Sequence, residues 1–322
     1  MHDLRHYMAT ELPRINALLD HEADKLDPVV TPVVRHMLTA GGKRLRPMLT
    51  LLTSRSLGRT GDDLYPMACA LEFLHSATLL HDDILDGADL RRGYPAAHLL
   101  FGVTQTILAG DALLALGNKL IADYGVPRLT ACISEAIIRT ASGEIADIAH
   151  IRDTDLTQEQ YLEIVTGKTA CLIQAACHCG AILAGAEPRV EEAASSFGLN
   201  LGIAFQLVDD ALDYASSRHV AGKPVGADLR EGKLTMPLIF YVRELDESGR
   251  NAFALRLKRN DFSDEALNLL VEEVRRRGCD QRTRDLAGTY LTAAAEALEL
   301  FPVGHERSLL EQALRYVLTR DK

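Results

Sequence analysis

The chain has no tryptophan, and aromatic residues supply only 5% of its 322 positions. No basic tract or aromatic-studded basic strand is present, and the net charge is −10; both argue against nucleic-acid binding. Cys-x-x-Cys pairs are missing, so Cys177-His178-Cys179 stands without the partners a zinc site needs. The six cysteines lie almost entirely in apolar helical contexts and read as buried, reduced thiols, as expected of a cytoplasmic protein. Met1-His2-Asp3-Leu4 has neither a basic nor an apolar region of the kind that opens a signal peptide. Even the longest apolar stretch, Thr169 to Ala186, contains Gln174 and His178, is short for a membrane span, and reads as a buried core helix. Few segments alternate like half-buried strands. These absences leave an all-α protein, abundant in Ala and Leu and long enough to bury a substantial core.

Helical periodicity and breakers predict helices over about 2–24, 29–39, 47–57, 62–85, 104–123, 128–150 and 158–184. Others are predicted over about 189–215, 234–246, 263–277, 280–299 and 304–319. Pro13, Pro28, Pro32, Pro47, Pro66, Pro95, Pro127 and Pro188 fall near expected first turns or junctions, with Pro47 suited to the first helical position. No low-complexity linker or composition break divides the chain, so residues 1–322 are expected to form one large helical bundle.

Two acidic motifs stand out: Asp82-Asp83-Ile84-Leu85-Asp86 and Asp209-Asp210-Ala211-Leu212-Asp213, starting 127 residues apart. The outer carboxylates of each are i and i+4 on a helix, hence on one face and roughly 6 Å apart along the axis. Like charges so placed destabilise a helix unless a cation joins them. Two such pairs suit a divalent metal, and Mg²⁺ commonly binds a few carboxylates together with substrate phosphates. Asp83 and Asp210 point about 100° away and are poorer metal ligands.

Cations cluster in the loops: Gly41-Gly42-Lys43-Arg44-Leu45-Arg46-Pro47, Arg91-Arg92-Gly93, Gly167-Lys168-Thr169, Gly222-Lys223-Pro224 and Glu231-Gly232-Lys233. The Gly-Lys-Thr tripeptide is not the end of a P-loop, because position 162 is Leu where that loop requires Gly. Together, metal motifs and cations fit a site holding two polyphosphates, one neutralised by metal and one by Lys and Arg.

These segments, GGKRLRP at 41–47, EFLHSATLLHDDILDGADLRRG at 72–93, GKT at 167–169, FQLVDDALDY at 205–214 and GKPVGADLREGKLTMPL at 222–238, resemble the trans-isoprenyl diphosphate synthases. The resemblance implies a single α-helical bundle around a deep cavity, normally a homodimer, with the two acidic motifs across its mouth. It implies three Mg²⁺ ions and two substrates, isopentenyl diphosphate and an allylic diphosphate, joined head to tail in repeated five-carbon steps. Asp82, Asp86 and Asp209 are then metal ligands, with Asp213 acting through water or from outside the first coordination sphere. Arg91, Lys168 and Lys233 would contact the allylic diphosphate, and Lys43, Arg46, Arg92 and His75 isopentenyl diphosphate. Thr169 and Gln206 would face the developing carbocation. Lys223 would lie on a loop that closes over the site, and the departed diphosphate would take the final proton.

The same resemblance makes Ala77 and Thr78, about one turn before Asp82, the determinants of chain length. Short-chain members of the family carry bulky aromatics there, and this chain does not. Each isoprene unit extends about one helical turn, on the order of 5 Å. A product beyond twenty carbons is expected, near eight units and within six to nine, as in a quinone side chain, with a tunnel floor near Ile107 to Leu116. Peripheral membrane contact would serve product release. A class I terpene cyclase is disfavoured by the intact GGKRLRP and second DDxxD, and a non-catalytic subunit by the presence of both acidic motifs. A shorter-chain synthase and a catalytic subunit needing a partner remain as alternatives.

Overall fold

The computed structural model describes residues 2–215, 227–259 and 261–319. Sixteen α-helices occur among them. The first six are α1 (His2–Ala23), α2 (Thr31–Thr39), α3 (Leu45–Ser56), α4 (Tyr65–Leu85), α5 (Ala97–Phe101) and α6 (Val103–Ala122). Next come α7 (Pro127–Ala149), α8 (Gln158–Val165), α9 (Cys171–Ala184), α10 (Pro188–Ala215) and α11 (Ala227–Arg230). The last are α12 (Met236–Arg243), α13 (Glu247–Arg259), α14 (Asp264–Arg276), α15 (Cys279–Leu298) and α16 (His305–Leu318). The all-α expectation holds, with one addition: β1 (Leu90–Arg91) and β2 (Tyr94–Pro95) pair antiparallel as a short hairpin.

Other differences have local causes. The helix expected over 158–184 is divided by a π-helical turn at Thr166–Ala170. Pro47 is the third residue of α3 rather than the first, because the helix begins at Leu45 after Arg44 in a left-handed conformation (φ 48°). Pro13 lies inside α1, where it removes a helical backbone bond, while Pro32 and Pro66 take the expected first-turn positions. The helix α13 was not anticipated, since only Phe253 and Leu257 of its thirteen residues are buried apolar side chains. Recognisable caps start others: Thr157 and Gln160 form a reciprocal capping box on α8, and Ser263 accepts from the Ala266 amide on α14.

The backbone groups into two compact units. The first comprises Met1–Glu135, Leu172–Ser195 and Leu298–Ala313; the second comprises Ala136–Cys171, Ser196–Ala297 and Leu314–Lys322. In the first, α4 is buried along most of its length, and α6 runs against it. Gly110 abuts His81, and Gly117 meets Leu74 and the Ala70 carbonyl. The pairing of later α6 residues with earlier α4 residues makes the two helices antiparallel and places Leu113 and Leu114 level with Ala77. Small residues permit this approach: a Cβ on Gly117 would come within 3.0 Å of the Leu74 side chain.

In the second unit, glycines seat the π-helical turn. Gly143 of α7 packs against the backbone of Gly167 and Lys168, and a Cβ on Gly167 would stand 2.8 Å from the Arg139 carbonyl. From α10, Gly202 meets Ala170, where an added Cβ would come within 2.6 Å of the Ala170 Cα. Gly167 therefore serves helix packing, which explains its presence before Lys168 without any phosphate-loop geometry. No described helix is long and apolar enough to cross a membrane, and the stretch from Thr169 lies largely buried, as expected.

Candidate active site

The first acidic motif occupies the C-terminal end of α4, with Asp86 as its cap and the Asp86 amide bonded to the Asp82 carbonyl at 2.8 Å. Asp82 and Asp86 are partly exposed, whereas Asp83 is fully buried. Asp83 accepts from Nε of Arg91 at 2.8 Å and also from Nη2 of the same guanidinium. The hairpin matters here, because it carries Arg91 back to the helix end. Arg91 was expected to touch substrate, and the geometry adds that Asp83 fixes it.

The cations of the 41–47 loop divide by role. Lys43 is exposed. Arg44 is buried and donates to Glu72 at 2.7 Å, to the Leu38 carbonyl at 3.0 Å and to Asn16 at 3.2 Å, tying the loop to α4 and the chain before it. Arg46 is 9% exposed on the first turn of α3. Arg92, in a left-handed conformation (φ 53°), lays its guanidinium against Gly42, where a side chain would collide with it. Burial lowers the Arg92 pKa. His75 sits about two turns before Asp82, and its pKa is held well below the usual value by burial first, then by Arg46, Arg92, Arg91 and Arg44. A neutral imidazole is thus surrounded by guanidinium charge, an arrangement that favours an anion.

In the second unit Asp209 and Asp213 are also partly exposed, while Asp210 is 2% exposed. Asp210 accepts from the Tyr161 hydroxyl and, at 2.9 Å, from Nε2 of Gln206. Burial pushes its carboxyl up to about 7 against those two hydrogen bonds, with Asp228 and Asp209 adding to the rise. Thr169 in turn donates to Gln206 Oε1 at 3.1 Å, so the two residues expected near the cation are joined in one chain ending on Asp210. Lys168, the third residue of the π-helical turn, is held by Asp147 at 2.7 Å and Glu144 at 2.8 Å. Burial opposes its charge, but the two carboxylates outweigh it and raise the pKa. Lys233 lies 2.9 Å from Glu231. Lys223 lies outside the described residues.

The middle aspartates therefore bond protein partners. Four partners escaped the sequence reading: Glu72, Glu144, Asp147 and Tyr161. Glu144 and Asp147 share an i, i+3 face that was visible, but their cation is 21 and more residues away. The outer carboxylates supply hard anionic oxygens of the kind Mg²⁺ prefers. Among the described residues no three His, Cys, Asp or Glu side chains converge on a ready-made metal cage. A Mg²⁺ ion held by few carboxylates does not require one, since it keeps waters and takes phosphate oxygens.

Ala77 is fully buried, and Thr78 is partly exposed with its hydroxyl donating to the His75 carbonyl at 2.8 Å. Of the expected floor region, Leu113 and Leu116 are buried, whereas Ile107 and Leu108 are 40% and 58% exposed.

Residues 27–274 match the family model of polyprenyl synthetases. Octaprenyl diphosphate synthase of Escherichia coli is 32% identical over 314 residues, which cover 98% of this chain and 97% of that protein. Geranylfarnesyl diphosphate synthase of Aeropyrum pernix is 38% identical, with coverages of 89% and 93%. Among solved structures, a polyprenyl synthase from Caulobacter crescentus complexed with calcium and isoprenyl diphosphate superposes with a TM-score of 0.93. It is 36% identical and covers 99% of this chain and 97% of its own.

Proposed function

Because this chain belongs to the polyprenyl synthetase family and is a prenyl diphosphate synthase, we propose that it elongates an allylic diphosphate such as farnesyl diphosphate with isopentenyl diphosphate to a product of about C40, within C30–C45. The observation that carries the class of chemistry is the sorting of each DDxxD motif into partly exposed outer carboxylates and a buried middle one. The long product rests on the small, fully buried Ala77 one turn below Asp82. Relatives named for products as different as octaprenyl and geranylfarnesyl diphosphate leave length to such residues. With Ala77 and Leu113 or Leu114 level on antiparallel helices, a side chain added at Ala77 would narrow the space next to α6.

Ionisation of the allylic carbon separates a carbocation from diphosphate, so stabilising the leaving charge lowers the barrier. Mg²⁺, proposed as three ions, would be held by Asp82, Asp86 and Asp209, with Asp213 acting through water or from outside the first coordination sphere, and would supply Lewis-acid stabilisation to that diphosphate. Arg91, Lys168 and Lys233 are proposed to hold the allylic diphosphate, and their carboxylate partners pre-set where their charge lies. Lys43, Arg46, Arg92 and His75 are proposed to bind isopentenyl diphosphate; the low basicity of His75 keeps it neutral, so its ring offers one N–H and one lone pair. Thr169 and Gln206 present oxygen dipoles, in a fixed chain, to positive charge on the allylic end. The departed diphosphate is proposed to accept the final proton.

We further propose that the two units act as one catalytic domain in a cytoplasmic homodimer, with peripheral membrane contact for product release. Exposed Leu99, Leu100, Val103, Ile107 and Leu108 offer apolar surface to another protein. The test is incorporation of labelled isopentenyl diphosphate by purified protein with Mg²⁺ and farnesyl diphosphate. Mg²⁺-dependent incorporation by this chain alone is expected; none would overturn the proposal of a self-sufficient homodimer.

A further inference from the structure

Outside the residues assigned to prenyl transfer, one group of reactive side chains comes together in the first unit. Cys132 on α7 is the one cysteine of the six that is not buried. Its sulfur lies 3.5 Å from Nδ1 of His178 on α9. On the far side of the ring, Nε2 of His178 is 3.8 Å from Oε2 of Glu191 on α10, and Glu191 is in turn gripped by both terminal nitrogens of Arg128 on α7. Cys179, one residue after His178 and fully buried, donates its thiol to the Cys132 sulfur. Thiol, imidazole and carboxylate thus stand in line, with a second thiol against the first.

We propose that Cys132, His178, Glu191 and Cys179 form a thiol-oxidation site at which a hydroperoxide converts Cys132 and Cys179 to a disulfide. The adjacent imidazole favours the nucleophilic thiolate, and partial exposure gives a small oxidant access. The hydrogen bond from Cys179, then His178, lowers the Cys132 pKa; the Cys132 contact and Glu191 raise that of His178, with burial and Arg128 opposing. The hydrogen bond to Cys132, then burial, raises that of Cys179, leaving it as the protonated second thiol. With hydrogen peroxide the Cys132 sulfur attacks one oxygen and the O–O bond breaks. His178 supplies the proton that lets water leave, and Cys132 becomes a sulfenic acid. The Cys179 sulfur then attacks the Cys132 sulfur, the S–OH bond breaks and a second water departs. Two thiols are oxidised and one peroxide is reduced to two waters. Cys177 stands apart from this group, buried and hydrogen-bonded with Thr53.

The experiment treats the folded full-length protein with hydrogen peroxide near pH 7, quenches free thiols and maps disulfide peptides by mass spectrometry. A Cys132–Cys179 linkage, with a mass loss of about 2 Da, is expected. Iodoacetamide should alkylate Cys132 about tenfold or more faster than any other cysteine, and His178→Asn should remove most of that advantage while the circular dichroism spectrum is retained. Should His178→Asn fail to fold, the linkage and the relative alkylation rates in the unmodified chain still decide. Oxidation that leaves Cys132 and Cys179 unlinked, or a Cys132 no faster than the buried cysteines, overturns the proposal.

Discussion

Arg91 donates to Asp83 at 2.8 Å, so the buried middle residue of the first acidic motif holds a cation while the outer residues remain partly exposed. The two kinds of aspartate should fail differently when changed. Asp82→Asn is expected to lower kcat by about 10²-fold or more with little change in melting temperature. Asp83→Asn should mainly raise KM for the allylic diphosphate and lower the melting temperature, because it loosens a buried carboxylate–guanidinium bond. Steady-state kinetics with thermal unfolding separates the two; matching effects on kcat and stability would contradict the assignment.

The Tyr161 hydroxyl supports Asp210, which supports Gln206 and through it Thr169. Tyr161→Phe leaves a buried carboxyl short of one donor and is expected to cost about 1–3 kcal/mol in urea unfolding. Turnover should fall as well, although Tyr161 is not assigned a substrate contact. Unchanged turnover would show that the chain of hydrogen bonds does not position Gln206.

Glycine packing around the π-helical turn gives a stability test with an internal control. Gly202→Ala must displace Ala170 and is expected to destabilise by about 1–3 kcal/mol. Gly288→Ala, in α15 with no heavy atom near the added methyl, should instead stabilise by about 0.5–1 kcal/mol. Chemical denaturation of both variants gives the comparison, and equal shifts would contradict the close approach.

His75 is neutral in the folded protein and binds its proton more readily when unfolded. Its contribution is therefore complete above the ordinary histidine pKa of 6.5 and is lost as pH falls below that value. Between pH 6.5 and 5.5 the parent should lose up to about 1 kcal/mol more stability than His75→Gln, measured by urea unfolding. Parallel pH profiles would contradict the burial of a neutral imidazole among arginines.

Much of this was legible where local chemistry and structure agree. The i, i+4 spacing separated Asp82 and Asp86 from Asp83, and Pro32 and Pro66 marked helix starts. What was hidden depends on neighbours brought from elsewhere in the chain. Nothing within Leu90 to Pro95 has the length to declare a strand, yet the hairpin sets Arg91 against Asp83. The π-helical turn has no periodicity of its own; it is read from Gly143, Gly167 and Gly202, which allow its close packing. The motif at Cys177 to Cys179 suggested metal chemistry or buried thiols, while its closest reactive partner, Cys132, lies 46 residues before His178.

The most direct test of the account is the length of the product made with Mg²⁺, farnesyl diphosphate and labelled isopentenyl diphosphate, compared between the parent chain and Ala77→Phe. The parent should release chains longer than C20, centred near C40, and Ala77→Phe should release shorter ones while still consuming isopentenyl diphosphate. A parent product of C20 or less, or an unchanged length with phenylalanine at Ala77, would contradict the proposal that the small side chain at Ala77 admits a long product.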